Sequence, residues 1–191
     1  TGANLTTANL TDANLTGANL TTANLTDANL TGANLTDTIL TKINFTGANL
    51  ASAYLINTNL IDVDFANLDL TEIDFTDSNL TRANFTNANL TDSNLAGVNL
   101  TDAKLIKANF TNANLTDTNF TGANLTDADL SEIDFTGANL TDANLTGANL
   151  TGVILFKTNL TNINLTRADL TTANLTRADL TTANLVGVNL T

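Results

Sequence analysis

A chain of 191 residues with 19 acids against seven bases carries a net charge of −12. That balance argues against direct contact with nucleic acid or an anionic membrane surface. Cysteine, histidine, methionine, tryptophan and proline are all absent, so disulfides, thiolate metal sites and histidine chemistry are excluded.

From its first residue the chain repeats in fives. TGANL, TTANL and TDANL differ only at their second letter, and residues 1–190 divide into 38 such blocks without insertion or deletion. Position five is Leu or Phe in all 38, the seven Phe being Phe45, Phe65, Phe75, Phe85, Phe110, Phe120 and Phe135. Position three is Ala in 23 blocks, position four Asn in 27 and Asp in seven, and position one Thr in 29. Position two holds all ten Gly and most of the charge.

A period of five fits neither regular element. Five residues of α-helix turn the chain by about 140°, which scatters the Leu side chains around the axis. In a straight strand an odd period sends successive Leu to opposite faces. Every Leu goes inside only if the chain bends once per block in one sense, as a solenoid with a corner per pentapeptide. Positions three and five then point inward together. Position two falls at the corner, where Gly suits an unusual φ. Asn at position four is expected to link coil to coil, and Thr at position one to coat an exposed β surface. Ile or Val at position three, as at Ile73 and Ile133, is expected to widen the coil or to fill gaps.

The blocks ANLTG, ANLTD, ADLTT and IDFTG resemble the pentapeptide-repeat family, with its pattern A(D/N)LXX. The resemblance spans the whole chain, 1–191, as a single solenoid domain. It implies an all-β fold: a right-handed quadrilateral parallel β-helix of about 9.5 coils, roughly 46 Å long at the stacking distance of strands. Periodicity alone leaves the number of sides open. Phe45, Phe65 and Phe85 are 20 apart and would stack on one of four sides. The second letters Gly2, Thr7, Asp12, Gly17, Thr22, Asp27 and Gly32 instead cycle every 15 residues, which we read as a trace of duplication.

Farther along, the monotony breaks. Between Ile61 and Phe135 stand 13 acids, namely Asp62, Asp64, Asp69, Glu72, Asp74, Asp77, Asp92, Asp102, Asp117, Asp127, Asp129, Glu132 and Asp134. Only Arg82, Lys104 and Lys107 oppose them. The segment covers roughly 18 Å of rod, about one net charge per 1.8 Å, near the charge spacing of duplex DNA. The resemblance gives this a meaning, since some pentapeptide-repeat proteins mimic DNA and bind gyrase, protecting against quinolones. Those relatives dimerise through a C-terminal helical module that has no counterpart here. Acidity also keeps a repetitive β-rod soluble. The pairs Glu72 with Asp74 and Glu132 with Asp134 are read as a solvated face, because catalysis needs a pocket that a filled rod does not offer. Calcium-binding Gly-rich nonapeptides are absent, and the Thr files do not form the matched pairs of an ice-binding face. The expectation is a non-enzyme with no cofactor and no metal.

On four sides, Tyr54, Ile56, Ile154 and Phe156 share one face, in two apolar spots five coils apart, and are candidate lateral contacts. Neither end shows a cap, so the termini are expected to be cut from a longer rod or to stack end to end. No signal peptide or membrane span is legible, and the compartment is not encoded. The leading expectation is a rigid structural scaffold acting on itself or on another protein; the alternative is a DNA mimic that binds a type II topoisomerase.

Overall fold

The computed structural model describes residues 2–191 and has four sides. Every backbone bridge joins a residue to the one 20 positions on, in parallel, from Asn4 with Asn24 to Asp169 with Asn189. The chain is a right-handed parallel β-helix, with no helix among the described residues. Each coil is 20 residues, and coil one is taken here as residues 1–20. The four faces are numbered by the block that opens coil one, so Asn4, Asn9, Asn14 and Asn19 lie on the first to fourth faces. Each face contributes one bridged residue per coil, at position four.

One block shows how the backbone is satisfied. The N–H of Gly122 donates to Thr141 of the next coil at 3.0 Å, and that of Leu125 to Asn144 at 2.7 Å. Asn124 donates back to Ala103 of the preceding coil at 2.9 Å, and Ala123 closes the corner onto Phe120 at 2.9 Å. The fifth N–H, that of Thr121, has no backbone partner. It donates to Oδ1 of Asn119 at 3.1 Å, and the Thr121 hydroxyl donates to the same oxygen at 2.7 Å. Asn at position four is therefore first a cap for the corner that follows it. Its amide group then reaches down the rod, as Asn119 Nδ2 does to Thr101 Oγ1 at 3.1 Å. The expected coil-to-coil link is present, but it is the second of two roles, and the Thr beside it is a bonded partner rather than a coat.

All 38 position-two residues have positive φ, 28 of them not Gly. The corner thus imposes the left-handed conformation on Asp, Asn, Lys, Arg and Thr alike, and φ does not explain where Gly sits. The coil beneath does. Of the ten Asp at position two, six are followed 20 residues on by Gly, three by Asn and one by Arg. A Cβ on Gly122 would run into Oδ1 of Asp102. Asn57, Asn112 and Asn162 instead donate to Asp37, Asp92 and Asp142 at 2.7, 3.0 and 3.0 Å. A corner Asp thus has either empty space or a donor above it; the longer Glu72, which lies beneath Asp92, does not follow this pattern.

The bore is filled. From Ala23 to Leu170 positions three and five are buried, and around Leu140–Leu165 no space remains for water. The Phe45, Phe65 and Phe85 ladder exists, with ring centroids 5.7 and 4.9 Å apart, and Phe75 meets Phe65 and Phe85 edge-on. Thr38, Thr58, Ser78, Thr118 and Thr158 line the inner wall of the fourth face, and each hydroxyl donates to a backbone carbonyl. Ile73 does not widen its coil: the bonds of Leu55 to Asp74 and of Asp74 to Ala53 stay at 2.7 and 2.9 Å. Ile133 fits the widening expectation, because the bridge between Asn114 and Asp134 is missing beside it.

Candidate functional site

The four-sided register decides how the mid-rod charge is distributed. The third face and its two bounding corners hold Glu72, Asp74, Asp77, Asp92, Asp117, Glu132 and Asp134 in coils four to seven, and no base. The first face and its corners hold Asp62, Asp64, Asp102 and Asp127 together with all three bases, Arg82, Lys104 and Lys107. Asp69 and Asp129 lie on the second face. The ten singled-out acids are therefore not one surface. Half of them, Glu72, Asp74, Asp77, Glu132 and Asp134, converge on the third face. Position in the block could not show this; the 20-residue register does.

The third-face acids have neutral partners. Ser52 donates to Glu72 at 2.9 Å, Thr76 to Asp74 at 2.5 Å and Thr136 to Asp134 at 2.6 Å. The one ion pair among the described residues is on the other side, where Arg82 grips Asp62 through two nitrogens at 2.7 and 2.8 Å.

At either end of the acidic stretch the same position-four file carries Tyr54 and Ile154, both exposed. Ile56 and Phe156 are only half-buried neighbours at the adjoining corner rather than exposed contacts, and Lys157 Nζ lies 5.1 Å from the Phe156 ring centre. These pairs have a common origin. In three of the four blocks where the capping Asn or Asp is lost, at Tyr54, Lys104 and Ile154, the following Thr is replaced as well, by Ile56, Ile106 or Phe156; after Ile39 it is kept, as Thr41. A Thr hydroxyl without its Asn acceptor loses that bond, and in these three blocks the two polar groups leave together.

No group of three or more metal-ligating side chains occurs among the described residues, and no helix there is long and apolar enough to cross a membrane. At the other end of the rod from coil one, Leu185, Val186 and Leu190 are exposed beside an apolar hollow of about 200 Å³.

Three carboxylates are held below the usual aspartate range. Hydrogen bonds from Thr171 lower Asp169, those from Thr181 lower Asp179, and the hydrogen bond from Arg82 lowers Asp62. Because the folded pKa is the lower one, any stability these groups add is present above the unfolded carboxylate range. It is lost as pH falls through the folded values. Carboxyl NMR titration is expected to give midpoints below that of an aspartate in an unstructured peptide. Midpoints at the peptide value would show that the corner hydrogen bonds do not favour the charged form.

A filled four-sided solenoid with flat faces and an ordered polar skin defines a class of repeat protein. A family model described as pentapeptide repeats matches in eight copies, over residues 3–41, 83–122, 93–131, 118–155 and 154–191. A second, described as a pentapeptide repeat region, matches residues 27–95. The chain belongs to the pentapeptide-repeat family. No curated protein sequence matches it significantly. Among solved structures it is similar to a trypsin-treated variant of QnrB1, a plasmid-mediated fluoroquinolone resistance protein. That match has 18% identity, a TM-score of 0.55, and coverage of 99% of this chain and 90% of the other. HetL, involved in heterocyst differentiation regulation in the cyanobacterium Nostoc sp. strain PCC 7120, is 31% identical over 98% of this chain and 89% of its own, with a TM-score of 0.37. A protein of the Arabidopsis thaliana thylakoid lumen is 35% identical over 59% of this chain and 65% of its own, with a TM-score of 0.39. Pentapeptide-repeat proteins are typically non-enzymatic structural or interaction proteins.

Proposed function

We propose that the chain is a non-enzymatic rigid rod that presents its third face to a basic protein surface. The observation that carries this is the run of seven acids without a base, bracketed by exposed Tyr54 and Ile154. Five coils separate the brackets, about 24 Å at the stacking distance. A second copy fits this face poorly, because an antiparallel pair that matches Tyr54 to Ile154 also sets Asp74 against Asp134. A basic partner with two apolar anchors meets both features.

A suitable probe is a synthetic lysine-rich helix with two leucines 18 residues apart, five whole turns, which places them on one side of the helix about 27 Å apart along its axis. Calorimetry at low salt is expected to show binding. Glu72→Gln with Glu132→Gln should weaken it about tenfold, and Tyr54→Ser should weaken it independently. Affinity that none of these changes alters would remove the proposal. End-to-end stacking of rods into a fibre is the extended form of the same reading, and light scattering that finds a dispersed monomer at every concentration removes that form.

A second reading, an acidic mimic of duplex DNA directed at a type II topoisomerase, is supported by the mid-rod charge spacing of about 1.8 Å. The third-face acids run in straight files, whereas phosphates wind around their axis. A gyrase supercoiling assay with neither inhibition nor protection from quinolone at micromolar protein removes this reading.

A further inference from the structure

The ladder of bonds between coils is interrupted most extensively along one continuous line between coils three and four. A shorter gap on the third face leaves the N–H groups of Asn112, Leu115, Asp117 and Asp134 without a backbone bond between coils six and seven. Among the described residues, the N–H groups of Lys42, Phe45, Gly47 and Leu50 make no bond to coil four, and those of Asp64 and Asp69 make none to coil three. The bridges of Asn44 with Asp64 and of Asn49 with Asp69 are missing too. One coil on, every counterpart is made: Asp62 to Thr81, Phe65 to Asn84, Asn67 to Thr86 and Leu70 to Asn89, at 2.7–3.0 Å. Asn84 and Asn89 donate back to Val63 and Leu68 at 3.0 and 3.1 Å. The interruption crosses the first and second faces; before it, on the fourth face, the bridge of Ile39 with Asn59 is kept although the Leu40 and Asn59 N–H groups make no close bond. A groove of about 310 Å³ opens at its start, lined by Thr41, Lys42, Asn59, Ile61 and Asp62.

The third face and the corner beyond it stay closed. Ser52 donates to Thr71, Leu55 to Asp74, Asp74 to Ala53 and Asn57 to Thr76, all within 2.9 Å. Inside, the Thr58 N–H donates to the Ser78 hydroxyl at 2.9 Å.

Two causes meet on the open side. The bore is overfull where Ile43 and Phe45 lie under Val63 and Phe65, with Leu68 over Ala48, and the first ring pair is spread to 5.7 Å against 4.9 Å for the next. The skin also has a mismatch. An Asn above an Asp donates to it, as Asn84 does to Asp64 and Asn89 to Asp69, at 3.0 and 3.3 Å. An Asp above an Asn has no amide to donate, so two acceptors face each other. Among the described residues all three missing bridges, at Asp64, Asp69 and Asp134, are steps of this kind, but the same step is bridged at Asp129, Asp169 and Asp179. The bridge is lost only where the residue before the Asp is also bulky (Val63, Leu68, Ile133) and is kept where it is Ala (Ala128, Ala168, Ala178), so both causes are needed.

We infer that the boundary between coils three and four is a hinge, closed along the third face and opening on the first and second, and that Asp64 and Asp69 hold it open. This goes beyond the proposed docking function. It also leaves that surface intact, because Tyr54 and Ile154 both lie on the closed side. Coils one to three move as one piece against the coils that follow.

Amide hydrogen exchange by NMR tests it on the intact chain. Phe45, Gly47, Leu50, Asp64 and Asp69 should exchange at least about tenfold faster than Phe65, Asn67, Leu70, Asn84 and Asn89. Asp64→Asn with Asp69→Asn restores amide donors facing Asn44 and Asn49 and should slow the first set toward the second. Ile43→Ala, which relieves the overfilling, should act in the same direction. Equal protection of the two sets in the unmodified chain overturns the inference, and so does unchanged exchange in the Asn variant.

Discussion

Phe65→Ala should cost about 3–5 kcal/mol, the largest loss of any single truncation in the rod. Phe65 is fully buried and touches three other rings: Phe45 and Phe85 stacked on it and Phe75 at its edge. Leu and Ala positions can relax by a small closing of the coil, but three rings around a missing fourth cannot collapse into one gap. In a stacked repeat, the loss is local, because each coil contacts only its neighbours. Denaturant unfolding should therefore lose cooperativity as well as stability, with the coils on either side of residue 65 melting apart. A loss below about 1 kcal/mol with one sharp transition would show that the aromatic stack is not what binds these coils.

The second large effect is a coupling. Asn119→Leu removes the acceptor for both the N–H and the hydroxyl of Thr121, and the donor to Thr101. It should cost about 1–3 kcal/mol, because half-buried donors are left without partners. Thr121→Val alone should cost about 0.5–1.5 kcal/mol. The double variant should cost less than the sum by at least about 0.5 kcal/mol, since the second change removes a hydroxyl that the first had orphaned. Tyr54 with Ile56, Lys104 with Ile106 and Ile154 with Phe156 are this double replacement already made in the chain. Strict additivity in thermal or denaturant unfolding would mean that the two side chains do not act as one cap.

Those same pairs show why the candidate site was only half legible. Tyr54 and Ile154 stand out in the sequence as apolar letters where Asn belongs, and the structure finds both exposed. Ile56 and Phe156 stand out equally, yet they are half-buried, because a residue at position one lies against its own corner. The acids posed a harder problem. Asp62 and Glu72 are ten residues apart and look alike in sequence, but one is bound to Arg82 on the first face and the other stands on the stretch of the third face, in coils four to seven, that carries no base.

By itself the sequence determined the solenoid, the inward pair of Ala and Leu, the corner at position two and the family. An uninterrupted five-residue period leaves no other way to bury 38 large side chains. Only the tertiary structure decided the number of sides, and with it every relation between residues 20 apart. The 15-residue cycle of Gly, Thr and Asp is the clearest case. Taken along the chain it suggests three sides or a duplication. With four blocks to a coil, a three-letter cycle advances by one letter per coil, so each corner Asp in the opening stretch meets Gly above it, as Asp12 meets Gly32 and Asp27 meets Gly47. The reason is steric and electrostatic: every corner Asp has above it a residue without a side chain or one that donates to it. That constraint acts through space, across a distance the local pattern does not contain.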